Sequence, residues 1–298
     1  MSATRQIPIG LRHYALCVKI PSGKARRRPS PRSRSGERPR NLLLGTLPPA
    51  DYARLSKSLK PIALTHRLSL LKRDQRIDHV YFPENGVCSL TTSMTDGSAV
   101  EVATVGREGM VGFELFIGSP VSTVDAFVQV PGLLAHSLPA AAFRREIDTK
   151  GALFDAVSKY SHALLGQIVQ TAACNRLHKV PARAARWLLL THDRVDSNEF
   201  PISHEFLSFM LGVDRSTVTL VMGALQKSGL IRYVHGRMKV VDRPGLDAVA
   251  CECYHIAADR FAALGLRPRR GGTTGGEKTL RERPAAKKRT NRNRVLAG

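Results

Sequence analysis

Arg215, Ser216, Thr217, Thr219 and Gln226 fall on one face of a single predicted helix. Side chains of these types hydrogen-bond base edges and phosphates: an Arg can donate two bonds to one guanine, and hydroxyls and amides serve base or backbone. The other face carries Val218, Val221, Met222 and Leu225 at spacings of three and four, which buries it. The stretch opening at His204 repeats the pattern with Leu207, Met210 and Leu211, and Gly212 with Val213 joins the two. Glycine supplies the tight turn there. Two short helices that bury one face against each other and leave a polar face free form a helix-turn-helix, whose second helix enters the major groove of DNA.

The same pattern fits a plain helical hairpin in an unrelated fold, and the neighbouring residues decide between the two. Leu230 to Tyr233 and Met238 to Val241 are short apolar runs around His235-Gly236-Arg237, the mark of a tight β-hairpin. A hairpin directly after a helix-turn-helix makes a winged helix. Asn198 to Ile202 is placed to add a third strand, and Pro181 opens a helix through Leu190 at a tolerated first-turn position. The DNA-contacting candidates are Arg215, Ser216, Thr217, Thr219 and Leu220 on the second helix, His204 on the first, and Arg232, His235 and Arg237 on the wing.

The elements that position this unit lie upstream. Val80 to Phe82, Val87 to Thr92, Ala99 to Val105, Ala126 to Val130 and Leu133 to Leu138 are β-rich runs divided by turn signals such as Thr95-Asp96-Gly97-Ser98 and Pro131-Gly132. Short strands at this pitch predict an antiparallel β-roll of jelly-roll type. A helical stretch from Leu43 to Leu59 precedes them. From Leu153 to Leu177 runs the longest helical pattern, with Leu153, Val157, Tyr160, Leu164, Ile168 and Ala172 as one stripe and Leu165, Val169 and Ala173 widening it. Two apolar faces need two partners: the stripe of Leu153, Val157, Tyr160, Leu164, Ile168 and Ala172 is expected to pair with the same helix of a second copy in a homodimer, and the other face to cover the roll.

The fold class expected is α+β. A basic tail (1–40) precedes a β-roll (41–150), a dimerisation helix (151–180), a winged helix (181–262) and a second basic tail (263–298). The net charge of +22 sits mostly in the tails, which hold eleven Lys/Arg against one acid and eleven against two, leaving the body about +3. Both tails are poor in large apolar residues, so disorder is expected, with charge that adds salt-sensitive, sequence-independent DNA affinity. No run approaches 18 apolar residues, so no membrane partner is expected. Five scattered cysteines fit reduced thiols in a cytoplasm. Cys251-x-Cys253, the one close pair in the sequence, is expected to pack on a C-terminal helix, and no metal is expected.

The order of β-roll, long helix and winged helix resembles the Crp/Fnr family of bacterial transcription regulators. Asp78-His79-Val80-Tyr81-Phe82-Pro83-Glu84-Asn85-Gly86-Val87, Val105-Gly106-Arg107-Glu108-Gly109-Met110-Val111-Gly112 and Leu211-Gly212-Val213-Asp214-Arg215-Ser216-Thr217-Val218 carry the resemblance, which spans about residues 42 to 262. It implies a dimer on an inverted repeat of double-stranded DNA, with RNA polymerase as a further partner, and an effector pocket in the roll at Glu114, Ser122 and Thr123. It also implies an effector, which this sequence does not name. Cyclic-nucleotide binders of the family hold the phosphate with an Arg after a Gly-Glu pair, because a desolvated phosphate needs a bidentate cation. Here Phe113 interrupts that pair, and no Lys or Arg lies between Glu108 and Phe143. Iron–sulfur members use four cysteines, and only Cys17 and Cys88 precede the long helix. No cofactor is therefore predicted, and a lone His79 or His136 reads as structural rather than as a haem ligand. On the reading helix Arg215 is kept, Ser216 stands where an acid is usual and Leu220 where a second Arg is, so the operator differs.

Two other functions compete with this reading. A cupin-like metal enzyme needs a His-x-His pair with a third His and an acid, whereas His66, His79 and His136 are isolated. A winged-helix protein module without DNA binding is opposed by Arg215 and the basic wing. A catalytic elbow and a phosphate loop are both absent from the sequence, so no enzyme is expected.

Overall fold

The computed structural model describes residues 39–266. The tails expected at 1–40 and 263–298 lie outside it except for residues 39–40 and 263–266. Two short helices, α1 (Leu42–Gly45) and α2 (Pro49–Ser56), lead into strands β1 (Lys60–Leu64), β2 (Ser69–Leu71), β3 (His79–Pro83), β4 (Val87–Ser93), β5 (Ala99–Val105), β6 (Asp125–Val130) and β7 (Gly132–Pro139). They form two antiparallel sheets, ordered β1-β7-β3 and β2-β6-β4-β5. Between them lies a core that includes Leu64, Phe82, Leu90, Val128 and Leu138. The five strands read from the sequence are present within a residue or two. Strands β1 and β2 were not foreseen, because Lys60-Pro61 and a three-residue run carry little alternation.

Strand β4 is buried continuously from Val87 to Thr91, without the alternation of a half-exposed strand. Both of its faces are covered. Cys88 and Leu90 point into the roll, whereas Val87 joins the core of the winged-helix unit.

After α3 (Ala140–Asp148) comes the long helix α4 (Ala152–Leu177), then α5 (Val180–Arg194), β8 (Glu199–Pro201), α6 (His204–Leu211), α7 (Arg215–Lys227), β9 (Ile231–Val234), β10 (Arg237–Val240), α8 (Arg243–Val249) and α9 (Cys253–Ala263). The sheet β8-β10-β9 is the wing with the foreseen third strand, Met238 pairing with both Phe200 and Tyr233. Its two-residue turn holds His235 and Gly236 at φ 49° and 76°, the positive pair that a tight hairpin requires. Helix α5 is buried at every residue from Arg183 to Arg194, because it lies between roll and reader. Helix α9 returns to α4 and delivers Phe261 and the buried Leu266 to the roll's core, so the packed chain runs to Leu266.

The dimer stripe needs correction. Leu153, Val157, Tyr160 and Leu164 are buried against this chain's own roll, and Tyr160 donates its hydroxyl to the Met110 carbonyl at 2.8 Å. Ile168 is half-buried, and of the stripe only Ala172 is exposed. The outward apolar face of α4 is the other one, Leu165, Val169 and Leu177, at 58%, 59% and 74% exposure. Sequence periodicity finds two faces but does not say which one the roll takes.

Candidate nucleic-acid interface

Helix α6 begins at Ser203, whose hydroxyl accepts from the Phe206 amide at 3.0 Å, and ends at Gly212 in the left-handed region (φ 61°). That ending aims α7 at 108° to α6, within the range of DNA-reading helix pairs. Leu207, Met210 and Leu211 pack on Val218, Val221, Met222 and Leu225. Each such side chain contributes on the order of 1.5–3 kcal/mol when fully buried. The packing fixes which residues of α7 remain outside. Arg215, Ser216, Thr219 and Leu220 are exposed, Leu220 at 75%, and Thr217 is half-buried.

Not every candidate faces outward unengaged. The Thr219 hydroxyl donates to the Arg215 carbonyl at 3.0 Å and lies 3.0 Å from His204 Nδ1. With its own proton used, Thr219 accepts from His204, which fixes the His204 tautomer as Nδ1–H. The His204 ring stacks on Tyr233 of the wing with centroids 4.5 Å apart. Burial, then the nearby Arg215 charge, holds its pKa below the ordinary histidine value, so it serves as a neutral strut. The Gln226 side-chain oxygen accepts from the Tyr233 amide at 2.7 Å, and the Tyr233 hydroxyl donates to the Ile202 carbonyl at 3.1 Å. Thus His204 and Thr219, read from sequence as DNA-contacting residues, and Gln226 of the same polar face brace α7 against the wing. Arg237 pairs with Glu199 across the sheet. Among the described residues Arg215, Arg232 and His235 make no ion pair, and Arg215, Arg232, His235 and Arg237 are all exposed.

In the roll, Glu114 and Ser122 do meet: the Ser122 hydroxyl lies 3.0 Å from Glu114 Oε1 and 2.8 Å from the Val124 carbonyl. Burial raises the Glu114 pKa, and a protonated Glu114 that donates to Ser122 lets Ser122 donate to Val124. Both residues are buried, whereas Thr123 is exposed. His136 Nε2 lies 2.9 Å from Glu84, and the His79 ring stands against Tyr81.

The contacts that sequence reasoning missed lie between roll and reader. Glu101 of β5 accepts from the Trp187 indole N–H at 2.8 Å, and its other oxygen lies 2.7 Å from the Ser89 hydroxyl. Arg194 Nε donates to Glu108 at 2.7 Å with both side chains almost wholly buried, and Gln129 donates to Thr191 at 3.2 Å. The glycine-rich segment is the hub. A Cβ on Gly106 would fall 2.7 Å from Arg194 Cγ, and one on Gly109 would strike the Tyr160 ring of α4. Buried Glu and Arg separated by 86 residues leave no local sequence signal. Cys251 and Cys253 lie at the start of α9 as expected, with Cys174 and His178 beside them.

Residues 182–249 match the Crp-like helix-turn-helix domain. The fold as a whole is the one that structures of the Crp/Fnr family share. Solved structures with this fold include a Crp/Fnr-family transcriptional regulator from Eubacterium rectale (15% identity, TM-score 0.56, covering 70% of this chain and 96% of that one). FixK2 from Bradyrhizobium japonicum (13%, 0.56, 65% and 98%) and a CRP-family transcriptional regulator from Thermus thermophilus (20%, 0.54, 64% and 96%) are two more. At these identities the likeness is one of fold. No curated protein matches the sequence. Among the described residues no single helix is long and apolar enough to cross a membrane. The chain thus joins a β-roll to a Crp-like helix-turn-helix domain.

Proposed function

We propose that the protein is a non-catalytic, cytoplasmic transcription regulator that binds an inverted-repeat operator as a homodimer and works alongside RNA polymerase. The observation that carries this reading is the outward face of α7: Arg215, Ser216 and Leu220 are exposed on a helix whose other face is fully packed. Arg215 lies in the first turn, where its guanidinium can reach guanine or phosphate, and Leu220 offers apolar contact to a thymine methyl. The outward stripe of α4, Leu165, Val169 and Leu177, supports pairing with a second copy, because an apolar row of this kind is a poor permanent water surface. The roll does not hold a cyclic nucleotide in the family manner: Glu114 is paired with Ser122, and the segment around it offers no cation for a phosphate. Selection from random duplex DNA tests the reading. A palindromic consensus supports it, and recovery of unenriched sequence refutes it. Calorimetry with millimolar cyclic AMP is expected to show no saturable heat, and submicromolar binding would overturn that part.

A further inference from the structure

Outside the reading face lies a cluster of thiol and imidazole side chains that touches neither the roll's core nor the reading helix. Cys174 near the end of α4, His178 just beyond it, and Cys251 and Cys253 at the start of α9 place their four ligand atoms within 4.8 Å of one another. We propose that these four residues form a Cys3His site for a zinc-type divalent ion, clipping the end of α4 to the start of α9.

The spacing suits a tetrahedral thiolate site. With Zn–S near 2.3 Å, the edge between two sulfurs of a tetrahedron is about 3.8 Å, and a sulfur–nitrogen edge is slightly shorter. Cys174 Sγ lies 3.5 Å from Cys251 Sγ, and Cys253 Sγ lies 3.5 Å from His178 Nδ1. The surroundings suit a metal too. His178 Nε2 lies 3.2 Å from Glu252, so Nε2–H donates to the carboxylate and the Nδ1 lone pair turns toward the sulfurs, the usual support of a ligating histidine. Gln170 donates to Cys253 Sγ at 3.1 Å.

Charge gives an independent argument. Arg183 and Arg186 are buried at 6% and 5% exposure, yet neither is within ion-pair distance of a carboxylate among the described residues. Buried guanidinium groups require counter-charge. Three thiolates around a dication leave one net negative charge, which offsets one of the two. The three thiol protons leave to solvent as the ion enters.

The site encloses the reader. Residues 180–249 lie between the two ligand pairs, and Arg183 runs from Asn175 beside the site to the Leu211 carbonyl at the helix-turn-helix turn. Metal loading therefore fixes the reader's anchorage on α4. A Cys174–Cys251 disulfide would use two of the donors and leave Cys253 and His178 unexplained.

The test uses the full-length chain purified under reducing conditions. One zinc per chain should survive gel filtration, and cobalt(II) exchanged for it should give the intense visible bands and thiolate charge-transfer absorption of a tetrahedral sulfur-rich site. Cys251→Ser with Cys253→Ser should lose the zinc, Cys88→Ser should keep it, and Glu252→Gln should weaken it about 10- to 100-fold in chelator competition. If the double variant does not fold, His178→Ala, at the half-exposed rim, gives the same comparison. A chain that retains no zinc, an octahedral cobalt spectrum, or a Cys174–Cys251 disulfide found by mass spectrometry with zinc present would overturn the proposal. DNA selection is read separately, so failure here leaves the assignment of α7 standing.

Discussion

Glu101→Gln is the substitution whose effect can be worked furthest from the structure. Glu101 is buried between roll and reader, and desolvation raises its pKa from 4.5 to about 7, against the hydrogen bonds from Ser89 and Trp187 and the charges of Arg186 and Arg194. The hydrogen-bond chain agrees. The Ser89 hydroxyl has one proton and two oxygens in reach, Glu101 at 2.7 Å and Gln129 at 2.6 Å. If Glu101 is protonated it donates to Ser89, Ser89 donates to Gln129, and every oxygen is served. If it is ionised, one oxygen pair is left in contact without a proton. A carboxyl group whose folded pKa lies above its unfolded value retains its proton in the native state while the unfolded chain loses it. Stability therefore falls as pH rises from about 4.5 to about 7, and is level above that. The span corresponds to roughly 3 kcal/mol. Glutamine mimics the protonated form, its amide donating to Ser89 and its oxygen accepting from Trp187. Urea unfolding of parent and variant at pH 5 and pH 8 should give similar stabilities at the lower pH and a variant more stable by up to roughly 3 kcal/mol at the higher. Parallel pH profiles for the two proteins would refute the reasoning.

Three further outcomes are expected. Glu108→Ala leaves Arg194 buried without its counter-charge and should destabilise the chain by about 3–5 kcal/mol in urea unfolding, whereas replacing both partners with apolar residues should recover much of the loss. Leu165→Glu with Val169→Glu, both on the exposed face of α4, should leave the folded chain's far-UV circular dichroism unchanged while giving monomers in sedimentation equilibrium; an unchanged dimer would contradict the seam. Arg215→Ala should cost about 1–3 kcal/mol on the selected operator and relax preference at one symmetric pair of positions; an even loss on all sequences with a smaller salt slope would assign Arg215 to phosphate instead.

Local pattern carried most of the fold into the sequence. The helix-turn-helix, the wing with its His235-Gly236 turn, the five longer strands and α4 all have periods or turn residues that their own segments display. Assignments that depend on distant segments were not legible. The inward face of α4 was misassigned because Leu164 and Leu165 are equally apolar, and only the docked roll separates them. Thr219 and Gln226 look like base readers on a helical projection, but the wing that engages them is brought there by tertiary structure. Glu101, Glu108 and Arg194 carry no local sign of burial, because the second face of the sheet is covered by a helix far along the chain. The Cys174–His178 pair is spaced like ligands on a helix, but Cys174 lies 77 residues from Cys251, and the fold alone joins them.

On the proposed reading α7 of two paired copies reads DNA, and hydroxyl-radical footprinting of the full chain on its selected operator is the decisive measurement. Two protected patches related by a twofold axis, with centres about one helical turn or roughly 34 Å apart, are predicted. A single asymmetric patch, or protection spread evenly along the duplex, would contradict it.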